Sequence, residues 1–275
     1  MTRYAAMFDG CLARGEGAFG AFLMLGDPDR DASAAYLDVL VDGGADMVEF
    51  GMPFSDPVAD GPVVQAAAVR ALKAGVRTAD CLAMIADFRA RHPEIPVGIL
   101  TYANIVAARG IEAFAHELVE AGADSLLVAD VPTLEAGPYS EAARAAGIDL
   151  VMIAAPNTPE PALRRIAELS SGYTYCVARN GVTGSDRGPS LRHEGLFDAL
   201  ARAGAPPPVL GFGIATPGHV REVIAAGAAG AISGSALVRL VGERVSPQAL
   251  SSFVSELKAA TRRRTQNLAF AAEKR

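Results

Sequence analysis

The sequence predicts an α/β fold, a single-domain (β/α)8 barrel over residues 1–275, and three observations carry that prediction. The chain is 275 residues long, close to the roughly 250 of a typical closed barrel. Short apolar runs alternate with amphipathic helical stretches along its length, and no shift in composition marks a second domain. The runs are apolar throughout rather than alternating with polar residues, the pattern of parallel strands covered by helices.

Eight strands are expected, at 18–25, 47–50, 97–101, 125–128, 150–153, 173–177, 209–212 and 231–233. Helical patterns fill the intervals at 32–41, 78–91, 111–120, 139–146, 161–169, 196–203 and 217–226, with a further helix at each end of the barrel. One junction recurs, as Gly44-Ala45-Asp46, Gly122-Ala123-Asp124, Gly147-Ile148-Asp149 and Gly227-Ala228-Ala229. Each glycine closes a helical pattern and precedes a strand, the usual helix C-terminal stop. An open doubly wound sheet is the competing architecture, but no Gly-x-Gly-x-x-Gly follows the first strand.

Composition narrows the function. The 25 basic and 31 acidic residues give a formal charge of −6, against a nucleic-acid surface, which needs a cationic face. The one basic run, Arg262, Arg263 and Arg264, reads as part of a solvated C-terminal helix. Cys11, Cys81 and Cys176 are too scattered for a disulfide framework or a metal knuckle. The uncharged stretch 223–238 is shorter than the ~20 residues that span a membrane, and glycines break it. Asp9 interrupts the N-terminal apolar segment, so no signal-like core is expected there. These readings predict a cytoplasmic protein.

The most informative segment is 48–62, Val-Glu-Phe-Gly-Met-Pro-Phe-Ser-Asp-Pro-Val-Ala-Asp-Gly-Pro. Glu49 stands at the end of a buried apolar strand, where a carboxylate costs several kcal/mol unless paired or protonated. The prolines and glycines beyond it exclude a helix until Pro62, and Asp60 returns on that loop. A lone buried Glu more often pairs or caps; with this loop beside it, chemistry is the better reading. In a barrel, such chemistry sits where strands end. The seventh and eighth strands lead into Gly211-Phe212-Gly213-Ile214 and Ser233-Gly234-Ser235-Ala236. Glycines let backbone N–H groups approach an anion, and Ser235 opens a helix at its positive end. The two turns together, with Gly181 and Gly184 nearby, point to a phosphorylated substrate.

Lysine is scarce: Lys73, Lys258 and Lys274 are all, and none ends a core strand. That excludes a Schiff-base aldolase. His92, His116, His193 and His219 show no metal-ligand spacing and read as surface or helix-end residues. Acid–base work therefore falls to Glu49, Asp60 and Tyr175, while Asp27 in Gly-Asp-Pro reads as a turn or capping residue.

These segments, together with Leu25-Gly26-Asp27-Pro28, Tyr102-Ala103-Asn104, Ala129-Asp130-Val131-Pro132, Gly172-Tyr173-Thr174-Tyr175 and Gly181-Val182-Thr183-Gly184, resemble the tryptophan synthase alpha subunit family along nearly the whole chain. The run 53–62 is its most specific part, and Met24 departs from it, standing where the family often has Thr. The resemblance implies a lyase that splits indole-3-glycerol phosphate by a retro-aldol reaction. Glu49 then matches the proton shuttle, Asp60 the anion beside the indole N1–H, and Tyr175 a residue next to Glu49. Phe22, Leu100 and Phe212 match substrate-pocket residues, Thr183 a lid residue that orients Asp60, and Gly184, Gly213, Gly234 and Ser235 the phosphate site. Pro53, Asp56, Asn104 and Pro132 match positions facing a beta subunit in an alpha2beta2 heterotetramer. The resemblance implies no metal and no cofactor in this chain, with pyridoxal phosphate confined to the beta subunit. A stand-alone indole-releasing enzyme and a catalytically silent partner barrel are the alternatives; intact Glu49 and Asp60 argue against the second.

Overall fold

The apolar runs pair side by side and in parallel in the computed structural model, which describes residues 1–177 and 194–263. The first half runs α1 (Arg3–Ala13), β1 (Ala18–Met24), α2 (Arg30–Asp42), β2 (Met47–Gly51), α3 (Pro62–Lys73), α4 (Thr78–Arg91), β3 (Val97–Thr101), α5 (Ala103–Ala107), α6 (Ile111–Ala121) and β4 (Ser125–Val128). The second runs α7 (Gly137–Ala146), β5 (Asp149–Leu150), β6 (Ile153–Ala154), α8 (Glu160–Leu169), β7 (Thr174–Val177), α9 (Glu194–Arg202), β8 (Pro208–Gly211), α10 (Pro217–Ala225), β9 (Gly230–Ser233), α11 (Ser235–Gly242) and α12 (Pro247–Ala259).

The strand order is β5-β4-β3-β2-β1-β9-β8-β7-β6. Its two ends are consecutive in the chain, separated only by Val151 and Met152. The Val151 N–H donates to Leu126 O at 2.9 Å, and Met152 O accepts the Tyr175 N–H at 3.0 Å. The ring therefore closes through residues 149–154 as a (β/α)8 barrel. The strand expected at 150–153 is two short pieces because neighbours in a barrel are staggered, so it meets β4 low and β7 high.

The recurring Gly-Ala-Asp junction does two jobs. Gly122 and Gly147 take left-handed conformations at φ 91° and 81° and end α6 and α7. The aspartates then tie strands together: Asp46 Oδ2 accepts the Phe19 N–H and Asp124 Oδ2 the Val97 N–H, each at 2.8 Å. Asp46 also pairs with Lys258 of α12 at 2.7 Å, and Asp124 with Arg89 of α4 at 2.6 Å. These contacts lie at the strand N-terminal ends, the face of a barrel that serves stability.

The core fills both sides of the sheet. Phe50 packs edge-on against Phe88 of α4, centroids 5.1 Å apart, and truncating either ring to Ala costs about 3–5 kcal/mol. Inside the barrel, α1 delivers Tyr4, whose hydroxyl lies 2.8 Å from Ser125 Oγ. One expectation is corrected here and another narrowed. Arg262 and Arg263 are not on a helix: α12 stops at Ala259, Arg262 bridges to Glu16, and the Arg263 N–H donates to Gly15 O at 2.8 Å, while Arg264 lies outside the described residues. Asp27 caps no helix: its N–H closes a turn on Met24 O at 3.3 Å, its carboxylate is buried in a bidentate pair with Arg70, at 2.7 and 2.8 Å, and Asp29 caps α2 instead.

Candidate active site

Strand pairing sets the site. β1 and β2 run parallel with Phe22 opposite Glu49 and Met24 opposite Gly51. Glu49 sits in mid-strand rather than at its end, because β2 runs on to Gly51, and it is only 3% exposed. Its Oε1 accepts the Tyr173 hydroxyl at 3.0 Å, while Oε2 is buried with no hydrogen-bond partner among the described residues. Burial pushes the carboxyl up to about 7; the Tyr173 bond opposes that rise, and the nearby Asp60 charge adds to it. A carboxyl held there both gives and takes protons near neutrality.

Asp60 is carried by the loop after β2 and is 6% exposed. Its Oδ2 accepts the Tyr102 hydroxyl at 2.8 Å, and its backbone carbonyl accepts Gln65 Nε2 at 2.7 Å. The Tyr102 oxygen in turn accepts the Ala59 N–H at 3.3 Å, and its ring stacks on Phe54, centroids 5.4 Å apart. Burial raises the Asp60 carboxyl despite the Tyr102 bond. The loop thus has few backbone bonds of its own and relies on α3 and Tyr102 to place its acid.

Glu49 and Asp60 open into one cavity, whose empty space counted out to its mouth is about 410 Å³. Phe22, Leu100, Tyr175 and Phe212 wall it, and Gly213, Gly234 and Ser235 lie along it. Tyr175 and Phe212 meet edge to face at 5.8 Å. Phe212 has φ +63°, a conformation costly for a bulky residue and often found at functional sites. Gly234 is the N-cap of α11 and Ser235 its first residue, so the helix presents its positive end to the cavity. No Lys or Arg is among the described lining residues.

Every expected catalytic and substrate residue among the described ones lines this cavity; Thr183 and Gly184 lie outside the described residues. Three residues were missed. Tyr173 is the tyrosine whose hydroxyl reaches Glu49, Tyr102 holds Asp60, and Val64 adds a wall. Val64 was findable, since a helix opening at Pro62 turns its second residues along back under Asp60. The tyrosines were not, because their partners are 124 and 42 residues away. Outside the cavity, Asp56 and Pro132 are exposed on strand-end loops, Asn104 is exposed on α5, and Pro53 is half-buried. Val58 and Leu134, on the same loops, are 71% and 91% exposed. Among the described residues no group of His, Cys, Asp or Glu has the arrangement of a metal site, and no helix is long and apolar enough to cross a membrane.

The comparisons agree with this fold. The family described as Tryptophan synthase alpha chain matches residues 8–269. A tryptophan synthase alpha chain from Shewanella amazonensis is 50% identical over 266 residues, 95% of this chain and 100% of that one. One from Aeromonas hydrophila is 48% identical over 268 residues, 96% and 100% of the two chains. Among solved structures, Mycobacterium tuberculosis tryptophan synthase superposes with a TM-score of 0.87 at 30% identity, covering 96% of this chain and 99% of that one. An alpha subunit from Legionella pneumophila gives 0.85 at 30% identity, covering 95% and 98%. With half its residues shared with a full-length relative and the family matched over residues 8–269, the chain belongs to the tryptophan synthase alpha chain family.

Proposed function

We propose that this chain cleaves indole-3-glycerol phosphate to indole and glyceraldehyde 3-phosphate, as the alpha subunit of a tryptophan synthase. The observation that carries the reading is a buried carboxyl raised to about 7, Glu49, sharing one cavity with Asp60 and the start of α11. Breaking the bond between indole C3 and the side-chain carbinol needs a proton delivered to C3 and one removed from the adjacent hydroxyl. Glu49 performs both transfers, so its protonation is restored when the bonding electrons return to the indole ring and the carbinol becomes an aldehyde. Protonation at C3 leaves N1 cationic, and Asp60 stabilises that charge, held in place by Tyr102. Phe22, Leu100 and Phe212 clasp the indole with Tyr175 beside the acid, while Gly213, Gly234 and Ser235 receive the phosphate on backbone dipoles. Thr183 is assigned to the lid that orients Asp60 on closure and Gly184 to the phosphate site, as the resemblance implies.

No step in this scheme calls for a metal or an organic cofactor in the chain; pyridoxal phosphate belongs to the beta subunit. The exposed Val58, Asp56, Asn104, Pro132 and Leu134 form the face we assign to that subunit. The test is indole release from indole-3-glycerol phosphate by the purified chain, with and without a beta subunit. Release that rises with the beta subunit supports the reading. Full release without it marks a stand-alone indole producer, and none in either case overturns the lyase assignment.

A further inference from the structure

The place of the Phe22 ring is set from behind the cavity wall. Residues two apart on a strand share a face, so Phe22 and Met24 project to the same side as Glu49 and Gly51, their partners across β1 and β2. A methyl group on Gly51 would fall 2.7 Å from Phe22 Cζ and 3.1 Å from Met24 Cε. Both side chains therefore converge on the bare Cα of Gly51. At its other edge the ring meets the anion-binding turn, where a methyl on Gly234 would lie 3.4 Å from Phe22 Cδ1. Phe22 thus spans from the β2 backbone to Gly234, and the Met24 methyl occupies the space next to its far edge. Met24 is itself buried, 3% exposed, and is not among the residues lining the cavity.

We propose that Met24 is a positioning residue that sets the width of the aromatic end of the cavity, and so which indole rings the site accepts. The inference deepens the lyase reading and rests on it for the identity of the ligand. A methionine side chain is unbranched and fills irregular gaps. With a shorter side chain at 24, the Phe22 ring slides across Gly51 into the vacated space and the cavity widens in the plane of the bound indole. A leucine, close in volume, keeps the ring where it is.

The experiment compares indole-3-glycerol phosphate with the analogue carrying a methyl group on the benzo ring, using the full chain with a beta subunit. In parallel, the affinities of indole and of benzo-methylated indole are measured by calorimetry, which needs no turnover. Met24→Ala is expected to raise the methylated-to-unsubstituted ratio by about tenfold in both kcat/KM and affinity, the scale of one methylene in an apolar pocket. Met24→Leu is expected to leave both ratios within about twofold, as a volume-conserving exchange. A folded Met24→Ala protein whose affinity ratio is unchanged overturns the proposal. If Met24→Ala does not fold, Met24→Val takes its place under the same criterion. Wild-type chain that binds indole without cleaving the phosphate ester substrate sinks the lyase reading alone, since the affinity ratios still decide the role of Met24.

Discussion

Tyr173 donates its hydroxyl to Glu49 Oε1 at 3.0 Å, reaching across the barrel interior from the residue before β7 to the middle of β2. This bond favours the charged carboxylate, while burial favours the neutral acid, and burial is the larger of the two. Removing the bond with Tyr173→Phe is expected to push Glu49 further up from about 7. The pH–rate midpoint assigned to Glu49 then moves to higher pH, with a loss at neutrality smaller than the roughly 10²-fold of removing a general acid. A midpoint that stays put or moves down contradicts the assigned balance.

Glu49→Gln keeps the shape of the side chain and loses its proton chemistry, so turnover falls by roughly 10²–10⁴ while ligand still binds. Stability changes in the opposite sense. The folded-state carboxyl is raised from 4.5 to about 7, so the folded protein holds this proton more tightly than the unfolded chain. The stability this adds is fully present below the unfolded value and is lost as pH rises through the folded one. At about 1.4 kcal/mol per unit, ionised Glu49 costs the fold roughly 3 kcal/mol above neutrality. Glutamine escapes that cost, so the variant should melt higher than wild type in mildly alkaline buffer and lose the advantage in acid. Denaturation curves at the two extremes decide it.

Asp60→Asn keeps a hydrogen-bond acceptor for Tyr102 and deletes the charge. Activity is expected to fall by roughly 10²–10³, the scale of losing one preorganised electrostatic stabiliser. Thermal stability should stay near wild type, since burial already disfavours the charged form. A collapse in melting temperature would instead make Asp60 a structural residue.

Gly234→Val places a branched side chain where the α11 N-terminus meets the cavity, against Phe22. The expected signature is at least about a tenfold loss of affinity for glycerol phosphate, the loss of a charge-assisted bond or two. Calorimetry with glycerol phosphate reads it directly, and undiminished binding moves the anion site elsewhere.

Asp56 is exposed at the tip of the loop that carries Asp60, bonded to Ser55 on its own loop. A loop held mainly through Tyr102 and Gln65 is expected to sample conformations that do not present its acid. A beta subunit docking there is expected to raise the competent fraction, and with it turnover, by about an order of magnitude or more. Asp56→Ala is expected to blunt that rise and leave the rate of the isolated chain nearly unchanged. Rates measured with increasing beta subunit give the answer; identical activation curves would remove Asp56 from the interface.

How much was legible beforehand depended on how local each signal was. Apolar runs, the Gly-Ala-Asp junctions and the Pro62 helix start are decided within a few residues, and the observed elements follow them within a residue or two. Asp27 was legible only in part for the same reason. Gly-Asp-Pro does turn the chain, but the Arg70 that arrives from α3 to bind its carboxylate is 43 residues away.

The sequence by itself determined the strand and helix order, and it supplied two acids beside an apolar strand and two glycine turns able to admit an anion. These follow from backbone sterics and side-chain polarity, which act over a turn of helix or a few residues of strand. Only the tertiary structure decided that Tyr173 meets Glu49, that Tyr102 meets Asp60, and that Phe22 is wedged between Gly51 and Gly234. Those partners are brought together by barrel closure and strand register, and the upward shift of Glu49 exists only once the closed barrel has excluded water from around it.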